Sequence, residues 1–191
     1  NCVGLLRNTT QSGSPSGRFV SIYQPASVVV ENNTIIGGGG VYTDGTAPGG
    51  ATLYRVRYNR MRNVNGLLSD GAGGWLFERA NQVVTYFQSR VCVQINSGTF
   101  PNGAEVAWNE VVNDPFVSRP EDSISIYGAR GTAPFPVLVH DNYIQGGSPT
   151  WPYDVGMSGT GIVCEKDSRY VLIEDNQIVS YGNAAITLAN S

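Results

Sequence analysis

The sequence predicts an all-β solenoid: a right-handed, single-stranded parallel β-helix of about seven coils, each of roughly 22–34 residues. Three observations carry that prediction: a turn-rich composition, a repeat centred on asparagine, and a second short apolar stretch in every repeat. The chain has 191 residues, 24 of them Gly, with 14% charged residues and a net charge of −3. An ordinary soluble domain carries about 25% charged residues and about 7% Gly. At 41% hydrophobic residues and little net charge, a disordered chain is excluded. Abundant glycine argues against a helix bundle. The length suits one domain, 1–191.

The repeat reads apolar-x-apolar-x-x-Asn-x-apolar. Ser27–Ile36, Pro136–Ile144 and Tyr170–Val179 are its clearest copies. Tyr54-x-Val56-x-x-Asn59-x-Met61 and Ala104-x-Val106-x-x-Asn109-x-Val111 follow the same pattern. Val3-x-Leu5-x-x-Asn8 and Leu76-x-Glu78-x-x-Asn81-x-Val83 are weaker, the latter with Glu78 in an apolar slot. The asparagines are Asn8, Asn33, Asn59, Asn81, Asn109, Asn142 and Asn176, separated by 25, 26, 22, 28, 33 and 34 residues. Between them lie stretches such as Phe19–Ile22, Val91–Val93, Ile124–Ile126 and Ile162–Cys164. Strands this short cannot bury an inner face alone, but coils stacked on one another make a continuous core. Asn suits the corner because it tolerates a left-handed backbone and its side chain can ladder from coil to coil.

The motif Val171-x-Ile173-x-x-Asn176-x-Ile178, with Gly161-Ile162-x-Cys164 before it, resembles the parallel β-helix repeats of the pectate-lyase-like and NosD-like superfamily. The resemblance covers essentially the whole chain. It implies an extracellular or cell-surface protein among polysaccharide lyases, uronan epimerases, glycoside hydrolases, phage tailspikes and surface proteins, and fold alone does not choose among them. The chain begins inside a repeat and ends on the strand Ala185–Leu188, with no amphipathic capping helix in sight. Flanking coils or a partner chain are therefore expected to cover the ends.

A pI near 5.1 gives no electrostatic footprint for nucleic acid. No apolar run reaches the roughly 18 residues of a membrane span. The first residues, Asn1–Arg7, lack the features of a signal peptide. Cys2, Cys92 and Cys164 form no C-x-x-C spacing, so free, buried or half-buried thiols are expected and zinc is not. No metal or other cofactor is called for. Calcium is not indicated, since Gly38–Asp44 only once approximates a calcium nonapeptide. Asn8-Thr9-Thr10 and Asn32-Asn33-Thr34 fit glycosylation sequons.

Side chains alternate along a strand. With positions −5 and −3 from each Asn facing inward, the outward −2 ladder reads Leu6, Glu31, Arg57, Arg79, Ala107, His140, Glu174. The −4 ladder reads Gly4, Val29, Arg55, Phe77, Glu105, Leu138, Leu172. Arg55, Arg57, Arg60 and Arg62 fall on one coil as a basic stripe suited to carboxylates or sulfates, unless nearby glutamates neutralise it. Small Ala107 between Arg79 and His140, with Glu105 beside it, predicts a recess. Abstracting the C5 proton of a uronic acid needs a carboxylate neutraliser, a base and an acid, roles that Arg79, His140 and Tyr143 could fill in that order. The long separations after Asn109 and Asn142 imply loops, and Trp108, Trp151 and Tyr153 could stack on sugar rings.

Some signatures are missing. Asp114-Pro115-Phe116 resembles the Asp-Pro-His of uronan epimerases but has Phe in place of His. No Arg-x-Pro-x-x-Arg lyase motif and no paired-Asp polygalacturonase signature occurs. Two readings follow: a carbohydrate-active β-helix acting on or binding an acidic polysaccharide, as a lyase or epimerase would, or a non-catalytic binding or structural shaft module of a surface protein or phage tail.

Overall fold

A computed structural model describes residues 1–5, 11–76, 79–80, 83–84, 88–115, 117–147, 159–179 and 182–189, with 79–80 and 83–84 described by backbone. Three all-parallel sheets wrap one core, and the chain visits them in fixed rotation. The sheet before the Asn corner stacks Ser27–Glu31, Leu53–Arg57, Ala104–Ala107, Val137–His140 and Val171–Glu174. The sheet after the corner stacks Val3–Leu5, Thr34–Ile36, Arg60–Arg62, Glu110–Val112, Tyr143–Gln145 and Gln177–Val179. The third sheet stacks Arg18–Tyr23, Gly39–Asp44, Val93–Thr99, Asp122–Arg130, Thr160–Glu165 and Ile186–Leu188. This is the expected parallel β-helix solenoid. No described helix is long and apolar enough to cross a membrane.

Register keeps like with like. Val30, Val56, Val106, Val139 and Ile173 pair in one column, and Ile35, Met61, Val111, Ile144 and Ile178 in another. Both point inward, because period-2 alternation leaves one face for the core. Each such side chain contributes about 1.5–3 kcal/mol when fully removed from water. One interior pair is polar: the hydroxyls of Thr43 and Tyr54 lie 3.1 Å apart and satisfy each other.

The corner asparagines form a hydrogen-bonded ladder. The backbone N–H groups of Asn33, Asn59, Asn109 and Asn142 donate to the Oδ1 of the next Asn at 3.0–3.1 Å. Their Nδ2 groups donate to the same Oδ1 at 2.9–3.0 Å. The left-handed residue is not the Asn, however, but the one before it: Asn32, Tyr58, Trp108, Asp141 and Asp175 have φ between 51° and 59°. The Asn supplies the ladder, and its predecessor turns the chain.

The described ladder leaves no rung for the two weaker repeat copies. The stack passes directly from Asn59 to Asn109, 50 residues apart. Arg55 pairs with Glu105, and Arg57 with Ala107. Arg79–Ala80 instead pairs antiparallel with Val83–Val84, away from the three sheets. Arg79 therefore does not occupy the rung between Arg57 and Ala107. The Glu78 in an apolar slot marked this misfit. At the start of the chain, Val3–Leu5 is a strand after a corner, and Cys2 stands where Asn stands elsewhere. Cys2 N donates to Asn33 Oδ1 (3.0 Å), and its carbonyl accepts from Thr34 N (2.9 Å). This register turns Val3 and Leu5 outward, and Gly4, against the Phe19 ring, faces in. Asn8 and Asn81 lie outside the described residues.

Candidate functional site

The outer face of the sheet before the corner carries the charged ladders. Arg57 forks onto Glu31 Oε1 through Nε (2.7 Å) and Nη2 (2.6 Å), and its Nη1 reaches Glu105 Oε2 at 3.1 Å. Arg55 Nε lies 3.8 Å from the same Glu105 oxygen. On the sheet after the corner, Arg60 pairs with Glu110 (3.3 Å) and Arg62 with Asp114 (3.3 Å). The four arginines do share one coil, as expected, but each has a carboxylate partner. The stripe is neutralised from the neighbouring coil.

His140 joins the same network. Its Nδ1 lies 2.8 Å from Asp141 Oδ2 and its Nε2 3.3 Å from Glu105 Oε1. Both ring nitrogens face carboxylates and the side chain is 14% exposed, so a ligand reaches either nitrogen only by displacing Glu105 or Asp141. Ala107 is fully buried, so the recess expected above it does not form. Tyr143 lies beyond the corner from His140, and its hydroxyl donates to Gln145 Oε1 at 2.6 Å. Arg79 is off the rung, and its side chain lies outside the described set, as do Trp151 and Tyr153. The structure therefore brings together His140, Glu105, Arg55, Arg57 and Trp108, but not the trio Arg79, His140 and Tyr143.

Two aromatics stand at the corner beside this network. Tyr58 and Trp108 stack with ring centroids 5.1 Å apart and planes within 9°. Trp108 meets His140 edge-on at 4.9 Å. Each is substantially solvent-exposed, Tyr58 at 46% and Trp108 at 39%. Both hold the left-handed φ common to every corner, 55° and 53°, which is uncommon for a bulky residue. They border an open groove of about 600 Å³ that also includes Asn32, Thr34, Arg60 and Glu110. Sequence reasoning singled out Trp108 but missed Tyr58. The signal was in the −1 column, where the turn-tolerant Asn32, Asp141 and Asp175 are interrupted by two aromatics in adjacent coils.

The thiols are free. Burial pushes Cys92 up to about 12, and half-burial raises Cys164. Both shifts disfavour the thiolate at neutral pH. Cys2 is exposed, unlike the buried or half-buried state expected of the three. Among the described residues no group of three or more His, Cys, Asp or Glu is placed to hold a metal. Comparison with protein-family profiles, curated proteins and solved structures returns no match, so the geometry alone carries the functional reading.

Proposed function

We propose that the protein is a carbohydrate-binding β-helix whose corner platform, Tyr58 and Trp108, stacks on the sugar rings of a polysaccharide. The observation that carries this is the exposed, stacked aromatic pair placed where the other corners have Asn or Asp. A flat apolar ring edged by polar groups suits a sugar face. Asn32, Arg60 and Glu110 border the rings and offer hydrogen bonds to hydroxyls. Successive coils are about 4.8 Å apart, so an extended chain running along the axis meets one coil per step. The resemblance of the Asn repeats to the pectate-lyase-like and NosD-like superfamily accords with this reading and implies an extracellular setting.

Binding is favoured over proton abstraction because His140 is enclosed by Glu105 and Asp141. The test is a glycan array followed by titration. Trp108→Ala and Tyr58→Ala should each weaken the strongest hit at least tenfold, about 1.4 kcal/mol, with the fold intact. Unchanged affinity in both variants overturns the platform. No binding anywhere on the array favours a structural shaft. Unsaturated product released from a uronan, and lost in His140→Ala, would return the protein to the lyases.

A further inference from the structure

His140 is the one histidine of the chain, and it stands between two carboxylates. Nδ1 lies 2.8 Å from Asp141 Oδ2, and Nε2 lies 3.3 Å from Glu105 Oε1. A neutral imidazole carries one N–H and one lone pair, whereas the imidazolium carries two N–H donors. With the ring neutral, one nitrogen turns its lone pair towards a carboxylate oxygen, and two acceptors face each other. Both contacts are hydrogen bonds only in the imidazolium. The geometry is therefore that of the protonated ring.

The ring also closes a circuit through the corner platform. Glu105 links His140 to Arg57, whose Nη1 lies 3.1 Å from Oε2. The Arg57 guanidinium carbon stands 5.6 Å from the centre of the Tyr58 ring. Tyr58 stacks on Trp108 at 5.1 Å, and Trp108 returns edge-on to His140 at 4.9 Å. Ala107 makes room for this. It pairs in register with Arg57 on one side and His140 on the other, and its small side chain lets both reach Glu105 on its own strand. The remaining charges near the ring come from the next coil, where Glu174 pairs in register with His140 and Asp175 follows at the corner. Glu31 and Arg55 join through Arg57 and Glu105. Within the circuit, histidine is the residue type whose charge ordinarily changes between about pH 5 and 8.

We propose that His140 is a proton-operated positioning residue for the Tyr58–Trp108 platform, and that saccharide binding weakens when His140 loses its proton. Protonated, the ring is anchored at both nitrogens, and its face or edge holds Trp108 in place against Tyr58. Deprotonated, it keeps one anchor, releases the other carboxylate and turns away from the lone-pair clash. Trp108 then loses its edge-on partner, and the ligand has to order the platform again at a cost in affinity. The gating of binding rests on the reading of the platform as a saccharide site; the coupling of His140 to Trp108 does not.

The experiment follows three signals from about pH 5 to about pH 8. The first is the His140 ring-proton resonance, unambiguous in a chain with one histidine. The second is Trp108 emission, taken as the difference between the protein and Trp108→Phe. The third is affinity for the strongest hit of the glycan array. Trp108 emission should change in one step that coincides with the His140 titration, and affinity should fall about fivefold or more through that step as pH rises. In His140→Gln, emission and affinity should both be independent of pH, with circular dichroism unchanged. Asp141→Asn keeps a turn-tolerant residue at the corner and supplies an amide that donates to Nδ1, so the neutral ring keeps both bonds. There the emission step should shrink or vanish while the His140 titration persists. Flat emission through the His140 titration of the unaltered protein, a step that survives in His140→Gln, or a full-sized step in Asp141→Asn overturns the coupling. Constant affinity through a step that emission shows overturns the gating of binding. An emission step in a protein that binds no glycan supports the coupling and overturns the platform reading instead.

Discussion

Asn109 shows what a single corner side chain does. It is 1% exposed, its Oδ1 accepts from Asn59 N and Nδ2, and its Nδ2 donates to Val56 O (2.8 Å) and Asn142 Oδ1. Asn109→Ala strands several buried groups and is expected to destabilise the protein by about 2–4 kcal/mol. Asn33→Ala, in a half-buried part of the ladder, should cost about 1 kcal/mol. Urea unfolding of both checks the order. Trp108 is the converse case. Trp108→Asn relieves about 1–2 kcal/mol of left-handed strain and loses about 0.5–1.5 kcal/mol of aromatic contact. Stability should then change by less than about 1 kcal/mol, while Ile144→Ala in the core costs about 2–5 kcal/mol. A large loss in Trp108→Asn would make the platform structural. Tyr54 and Cys92 govern alkaline behaviour, because burial raises both to about 12 from 10.0 and 9.0. The folded state holds these protons more tightly than the unfolded chain, so stability is complete below pH 9 and falls between pH 9 and 12. Burial raises Cys164 from 9.0 as well, so the onset should move towards pH 10 only in the double variant Cys92→Ala, Cys164→Ala, read as midpoint against pH.

The strands of the third sheet depend on close approach. Gly40 N donates to Val91 O and Val41 N to Cys92 O, and a Cβ on Gly40 would collide with the Cys92 carbonyl. Gly40→Ala is therefore expected to destabilise by more than about 2 kcal/mol. Gly17 meets nothing within 4 Å and has an ordinary backbone, so Gly17→Ala should be neutral or slightly stabilising. Thermal unfolding of the pair separates a packing glycine from a spacer. The strand patterns were readable because alternation is local: Val28 and Val30 are buried and Val29 is exposed, as spacing alone predicts. Val3–Leu5 was misread because three residues fit either side of a corner, and only pairing with Thr34–Ile36 chooses. A one-residue shift reverses every face.

For the whole molecule, the direct bond between Asn59 and Asn109 makes the segment between their coils an insertion on a continuous stack. Leu76 N and Gln88 N donate to Leu68 O and Gly66 O, so the two residues leave and return beside one short stretch. Replacing residues 77–87 by a four-residue Gly-Ser linker should leave the circular dichroism of the parallel sheets intact and shift Tm by only a few degrees. Collapse of the β signal would show that the segment is integral to the stack.

The sequence by itself determined the solenoid, the inward columns and the five ladder asparagines at Asn33, Asn59, Asn109, Asn142 and Asn176, because each follows from spacing within one coil. Tertiary structure decided which coils are neighbours, and that settled the chemistry. Carboxylates from adjacent coils neutralise the Arg55–Arg62 stripe and close over His140. Tyr58 comes to stack on Trp108, 50 residues further along the chain. Low charge and abundant glycine set the architecture locally, but an ion pair or a stacked ring belongs to two coils, and no spacing within either one announces it.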